Sequence, residues 1–164
     1  MNVIPNYVSD EQLAGARVVV MGLGRFGGGV GVTRFLVGRG ANVLVTDMAD
    51  AATLQTPLNA LSDLKIDYRL GSHDVADLDG ADLLVVSPAV DRTKSAFVQA
   101  ALNRGIAWTT EIGMFIERCP GRILQMQAWT DTGIDCGAHR VQIVVCRGAS
   151  PGRRKLVKGV IVRD

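Results

Sequence analysis

A β-branched run that empties into glycines constrains this chain more than any other stretch. Residues 18–31 read VVVMGLGRFGGGVG, with six glycines among the last ten. Glycine inside a helix costs about 0.8–1 kcal/mol relative to alanine, so such a segment makes sense where backbone must turn sharply or be approached closely. The spacing Gly22-x-Gly24-x-x-Gly27 falls directly after a strand pattern and opens a helical one. In that setting the first glycine permits a tight turn and the second lets a phosphate come near the backbone. The third lets helix and strand pack closely. The helix N-terminus adds unpaired N–H groups and a positive dipole end. A phosphate-bearing ligand is the favoured reading, against glycines kept for packing alone. Gly28, Gly29 and Gly31 exceed the pattern.

The rest of the chain up to residue 121 repeats the alternation that this opening implies. Val18–Met21 is a buried strand and Gly28–Val37 a helix with Val30, Phe35 and Leu36 inward, stopped at Gly38-Arg39-Gly40. Ala41–Asp47 is a second strand, followed by a weak helical pattern through Leu54, Leu58 and Leu61. Ile66–Leu70 and Ala81–Ser87 read as strands three and four. Lys94–Asn103 reads as a helix burying Phe97, Val98, Ala101 and Leu102. Residues 106–110, IAWTT, make a fifth strand, and 111–119, EIGMFIERC, a closing helix with Ile112, Phe115 and Ile116 on one face. Strands alternating with helices mean βαβ units and a mostly parallel sheet, here five-stranded, doubly wound and Rossmann-like. Near-continuous apolar strands fit burial on both faces. Ligands of such sheets bind beyond the carboxyl ends of the strands.

Composition narrows the classes further. Hydrophobic residues make up 48% of the 164 and charged ones 21%, enough apolar material for a soluble core. No apolar run approaches the roughly 20 residues of a membrane span. The opening MNVIPNYVSDEQLAG carries Asp10 and Glu11 where a secretory signal would be basic and then apolar, so a cytoplasmic location is expected. Cys119, Cys136 and Cys146, with His73 and His139, show no metal-ligand spacing. No metal site is expected, and no nucleophile–base pair or paired-carboxylate signature marks a catalytic residue. His73 reads as a surface histidine and Trp108 as core or sheet edge.

Two strand ends complete the candidate site. Asp47 closes the second strand 20 residues after Gly27, the spacing at which dinucleotide-binding proteins place an acid on a ribose. A solvated Asp opening a turn is its plain alternative. On these features alone NAD would be the ligand, in a dehydrogenase or regulatory module. The fourth strand runs instead into Ser87-Pro88-Ala89-Val90, where proline fixes a turn and serine adds a hydroxyl. An ordinary strand-ending turn fits that segment equally well.

Taken together, ARVVVMGLGRFGGG, VLVTD, GADLLVVSPAV, ALNRGIAWTTEIGMF and CPGRI resemble the amino-terminal domain of the Mur ligases, most closely the D-glutamate-adding type. The likeness runs in unbroken order from about Leu13 to Ile123. It implies a domain that holds the UDP part of UDP-N-acetylmuramoyl-L-alanine in peptidoglycan synthesis. Gly22, Gly24, Arg25, Phe26 and Gly27 would then line the diphosphate. Asp47 and Met48 would meet the uracil edge, and Ser87, Pro88 and Ala89 would close the pocket. Two positions depart from the family pattern. Phe26 stands where a hydroxyl residue is common, with Arg25 beside it as a cation, and Gly113 stands where an acid is common. NAD binding remains the alternative.

From Arg122 the character changes. Residues 1–121 hold 13 acidic and 10 basic side chains, and residues 122–164 hold 3 and 8, with no Glu, Phe, Tyr or Asn. The sequence thus divides into a Rossmann-like UDP-substrate-binding domain, 1–121, and a basic tail, 122–164. The family resemblance implies an ATP- and magnesium-binding Gly-Lys-Ser/Thr loop after residue 123, and the tail has none. No cofactor is therefore expected on these residues, nor ligase activity from this chain alone. A shifted reading frame and an evolved tail both account for the change. QIVV and LVKGVIV in the tail are candidate strands. RRKLVK lacks interleaved aromatics, so a solvated basic surface is favoured over a nucleic-acid site. Oligomeric state is not set by these patterns.

Overall fold

A computed structural model of the chain describes residues 9–24, 27–118, 122–128 and 141–147, the last two as backbone only. The chain divides into two compact units, Met1–Met114 and Phe115–Asp164.

The first unit opens with a short helix, α1 (Asp10–Leu13), capped by Ser9 and Gln12 and anchored by the fully buried Leu13. Then come β1 (Arg17–Met21), α2 (Gly28–Gly38), β2 (Asn42–Asp47), α3 (Gln55–Asn59) and β3 (Asp67–Leu70). A 3₁₀ turn at Val75–Leu78 leads to β4 (Leu83–Val86), α4 (Ala96–Asn103), β5 (Ala107–Thr110) and α5 (Glu111–Glu117). The boundary between the two units falls inside α5.

All five strands are parallel, in the order β3-β2-β1-β4-β5. β1 is central, and the order reverses beside it. Such a reversal leaves a crevice at the carboxyl ends of the strands on either side. The doubly wound Rossmann-like arrangement expected from the sequence is the observed one, and the sheet is wholly parallel.

Alternation along the strands builds two cores. Val18 and Val20 of β1 join Val43, Val45, Leu83 and Val85 on one face, covered by Val32 and Leu36 of α2 and by Leu54 and Leu61. Val19 and Met21 join Leu44, Leu84 and Val86 on the other, covered by Phe97, Val98 and Ala101 of α4 and by Leu78. Successive strand residues point to opposite faces, so a strand apolar at every position needs helices on both. Trp108 belongs to the second core and is 3% exposed, with the Arg92 guanidinium 4.7 Å from its ring centre.

Local chemistry sets the helix limits. The Ser95 hydroxyl accepts a hydrogen bond from Val98 N–H and caps α4, one of the strongest start signals a helix can carry. α2 ends where Gly40 takes a left-handed φ of 82°. On α5 the inward residue is Met114, while Phe115 and Ile116 are exposed. The expected face of Ile112, Phe115 and Ile116 is thus displaced by one position. In α2 the buried residues are Gly29, Val32, Thr33 and Leu36, with Val30 and Phe35 only partly covered.

In the second unit, β6 (Arg122–Ala128) and β7 (Val141–Arg147) form an antiparallel pair, in register from Arg122↔Arg147 to Ala128↔Val141. QIVV, at 142–145, lies within β7. LVKGVIV and RRKLVK lie outside the described residues, as do Cys119, Cys136 and His139.

Candidate functional site at the carboxyl ends of the strands

The sheet topology brings four segments to one edge: the glycine loop after β1, the end of β2, the turn after β4 and the start of α5 after β5. The register puts Met21 beside Thr46 on one side and Val86 on the other, with Val86 beside Thr110. Residues that follow these positions in sequence therefore meet.

Gly22 is the hinge between them. Its N–H donates to Thr46 O at 2.8 Å, and its φ is 90°. A Cβ at Gly22 would come within 3.1 Å of the Ser87 Cβ, so the loops after β1 and β4 touch where only glycine fits. Gly24 and Gly27 also have left-handed φ values, 66° and 81°, with open space where a Cβ would project. Gly27 is the N-cap of α2. The close packing expected of it falls on Gly29, where a Cβ would overlap the carbonyl oxygens of Gly22 and Leu23. The helix thus rests directly on the loop that precedes it. Arg25 and Phe26 lie outside the described residues.

Asp47 fastens this loop. Its Oδ2 accepts the Leu23 N–H at 2.9 Å, and its Oδ1 accepts the Ala49 N–H at 2.9 Å. Each carboxylate oxygen has a second lone pair, so the group can serve a ligand while holding the backbone. Met48, next in line, is 64% exposed. Ser87 donates its N–H to Met21 O and accepts the Val90 N–H at its own carbonyl, both at 3.0 Å. The four residues 87–90 make a turn with Pro88 at its second position, where proline presets φ. Both sides of the crevice are therefore pinned to the end of β1.

Behind β2 lies a second polar layer. The His73 Nδ1 is 2.8 Å from the Thr46 hydroxyl, which donates to Ser72 O at 3.3 Å, and the imidazole stacks on Phe97 with ring centres 5.1 Å apart. His73 is half-buried rather than a surface histidine. Burial lowers its pKa from the ordinary value, while the Asp47 and Asp77 carboxylates act the other way.

Glu111, absent from the sequence-based site, reaches the same place. A Cβ at Gly28 would run into both oxygens of its carboxylate, so that carboxylate lies against the first turn of α2. Burial raises its pKa above the ordinary value. As the opening residue of a helix, Glu111 reads in sequence as a partner for its own helix dipole. Only the strand order places it against another helix. Gly113, two residues on, has its N–H bonded to the Thr110 hydroxyl at 3.0 Å, and a Cβ there would come within 2.9 Å of Thr109 Oγ1. A glycine suits this packing where the family pattern carries an acid.

The whole constellation lies in or directly beside residues 16–110, which match the family model for the Mur ligase MurD-like N-terminal domain. The chain belongs to that family. This MurD-like domain is 44% identical over 113 residues to the UDP-N-acetylmuramoylalanine–D-glutamate ligase of Roseiflexus sp. (strain RS-1), an alignment covering 69% of this chain and 24% of the relative. It is 44% identical over 101 residues to the enzyme of that name from Geobacter metallireducens, covering 62% and 22%. The chain spans about a quarter of the length of these relatives. Among solved structures, the glutamyl-tRNA reductase of Methanopyrus kandleri is similar at a TM-score of 0.39 and 24% identity, over 58% of this chain and 23% of that one. Among the described residues of the MurD-like chain, no helix is long and apolar enough to cross a membrane. Nor do they contain a group of three or more His, Cys, Asp or Glu placed to hold a metal ion.

Proposed function

We propose that this MurD-like domain binds the UDP moiety of UDP-N-acetylmuramoyl-L-alanine, as the amino-terminal part of a cytoplasmic D-glutamate-adding ligase of peptidoglycan synthesis. The observation that carries the reading is the family match at 16–110 together with the convergence of Gly22–Gly24, Gly27, Gly28, Asp47 and Ser87–Ala89 at the carboxyl ends of the strands. The diphosphate meets the backbone of Gly22, Gly24, Arg25, Phe26 and Gly27, where the helix end supplies N–H groups and a favourable dipole. The uracil lies between Asp47 and Met48 on one side and Ser87, Pro88 and Ala89 on the other. The chain's own residues bind and orient in this reading; they carry no acid–base or nucleophilic step. No Gly-Lys-Ser/Thr loop occurs in the 164 residues.

Calorimetric titration with UDP, UDP-N-acetylmuramoyl-L-alanine and NADH tests the proposal. Binding of both uridine nucleotides with no response to NADH is the expected result. NADH binding without a response to either uridine nucleotide would overturn it in favour of a dinucleotide-binding module.

A further inference from the structure

The carboxylate of Glu111 borders the first turn of α2, where the reading given above puts the ligand's diphosphate. It lies against Gly28, the first residue of α2, so closely that no side chain could be fitted between them. The N–H groups of Gly28, Gly29 and Val30 precede the first bond of the helix, which runs from Gly31 N–H to Gly27 O at 2.9 Å. Such a turn attracts one anion, and two anions cannot share it without strong repulsion. The Glu111 position is fixed from behind, since Thr110 pairs with Val86 and Met114, one turn on, is buried.

We infer that Glu111 is a specificity-determining residue of the nucleotide site, a carboxylate beside the first turn of α2 that a ligand's phosphates must push aside. Bare phosphates are held by the glycine loop alone and lose the competition. A uridine diphosphate gains contacts at the ends of β2 and β4 and wins it. Glu111 thus makes the site demand a base as well as a phosphate. The inference rests on the uridine-nucleotide reading given above, and it concerns only how that site discriminates.

The test compares the full chain with Glu111→Gln and Glu111→Asp by calorimetry at pH 8, using UDP, inorganic pyrophosphate and uridine. Glu111→Gln should bind pyrophosphate and UDP about tenfold more tightly than the parent, the scale of one like charge removed at close range. Uridine, having no phosphate, should bind both proteins alike. Glu111→Asp keeps the charge and should stay near the parent for all three. If UDP binds the parent and Glu111→Gln equally, Glu111 does not compete and the inference falls while the nucleotide site stands. A gain of Glu111→Gln for uridine as large as for UDP would also overturn it, by showing a general repacking. Should neither protein bind UDP, the nucleotide reading fails and the inference with it. Thermal melts of each variant establish that the folded state is the one titrated.

Discussion

Asp47 Oδ2 accepts the backbone N–H of Leu23 at 2.9 Å, across 24 residues of sequence. One carboxylate therefore ties the end of β2 to the glycine loop after β1, while its other oxygen holds Ala49 N–H at 2.9 Å. A residue expected to face a ligand is also a fastener of the loop that would face that ligand. Binding and loop order are coupled through this one side chain.

Replacing Asp47 by alanine should lower stability by about 2–3 kcal/mol, since hydrogen bonds to a charged acceptor are the costly ones to lose. Asn keeps one acceptor oxygen and should recover about half of that. Urea denaturation of the three proteins measures it. A stability loss for Asp47→Ala under about 0.5 kcal/mol, with weakened UDP binding, would mean that the carboxylate serves ligand alone.

Gly29 and Gly31 sit two residues apart in α2 and should respond with opposite signs. Gly29→Ala drives a Cβ into the backbone of Gly22 and Leu23, which cannot yield as a side chain could. A loss of about 2 kcal/mol or more is expected. Gly31 has nothing within 4 Å of a built Cβ, so Gly31→Ala should gain about 0.5–1 kcal/mol from helix propensity and a less flexible unfolded chain. Melting curves of the two variants suffice. Equal effects would contradict the contact between α2 and the loop.

Much of the fold was legible because a parallel strand buried on both faces has little choice of residue. Val18–Val20 and Leu83–Val86 announce themselves as unbroken apolar runs, and the observed limits of the five strands differ from those expected by one or two residues. The helix at Asp10–Leu13 and the turn at Val75–Leu78 are too short for periodicity to reveal. At the site, Gly22, Asp47 and Ser87 were legible from motif and spacing, but their bonds were not. Which N–H Asp47 takes depends on the register Met21↔Thr46, a long-range fact no local pattern carries. Glu111 was hidden for the same reason: it enters the crevice only because β5 lies next to β4 and β4 next to β1. The extra glycines Gly28 and Gly29, left over by the motif, are explained by what touches them.

His73 should make the domain acid-sensitive. Burial lowers its folded pKa below the unfolded value, so the unfolded chain takes up the proton first as pH falls. The stability tied to its neutral form is complete above the unfolded value near 6.5 and is lost as pH drops toward the lower folded value. Melting temperatures from pH 7.5 to pH 5 should fall more steeply for the parent than for His73→Gln, which cannot titrate. Parallel slopes would show that the imidazole is no more protected than in the unfolded chain.

Glu111 should act in the opposite sense. Burial is the cause of its raised pKa, so the folded state favours the neutral carboxyl. The associated stability is fully present below the unfolded value and is lost as pH rises through the folded one. Ionising this carboxylate therefore carries a desolvation cost in the folded chain. Glu111→Gln is uncharged at every pH and preserves the shape. Its melting temperature should match the parent's near pH 4 and exceed it increasingly toward pH 8. A variant less stable than the parent at pH 8 would mean that the N-terminal dipole of α2 outweighs the desolvation, and that the carboxylate holds α2 in place as an anion. Saturating UDP should then narrow the gap between the two proteins at pH 8 if the ligand's phosphates expel the carboxylate into water. A gap that widens under UDP would show the two anions bound side by side.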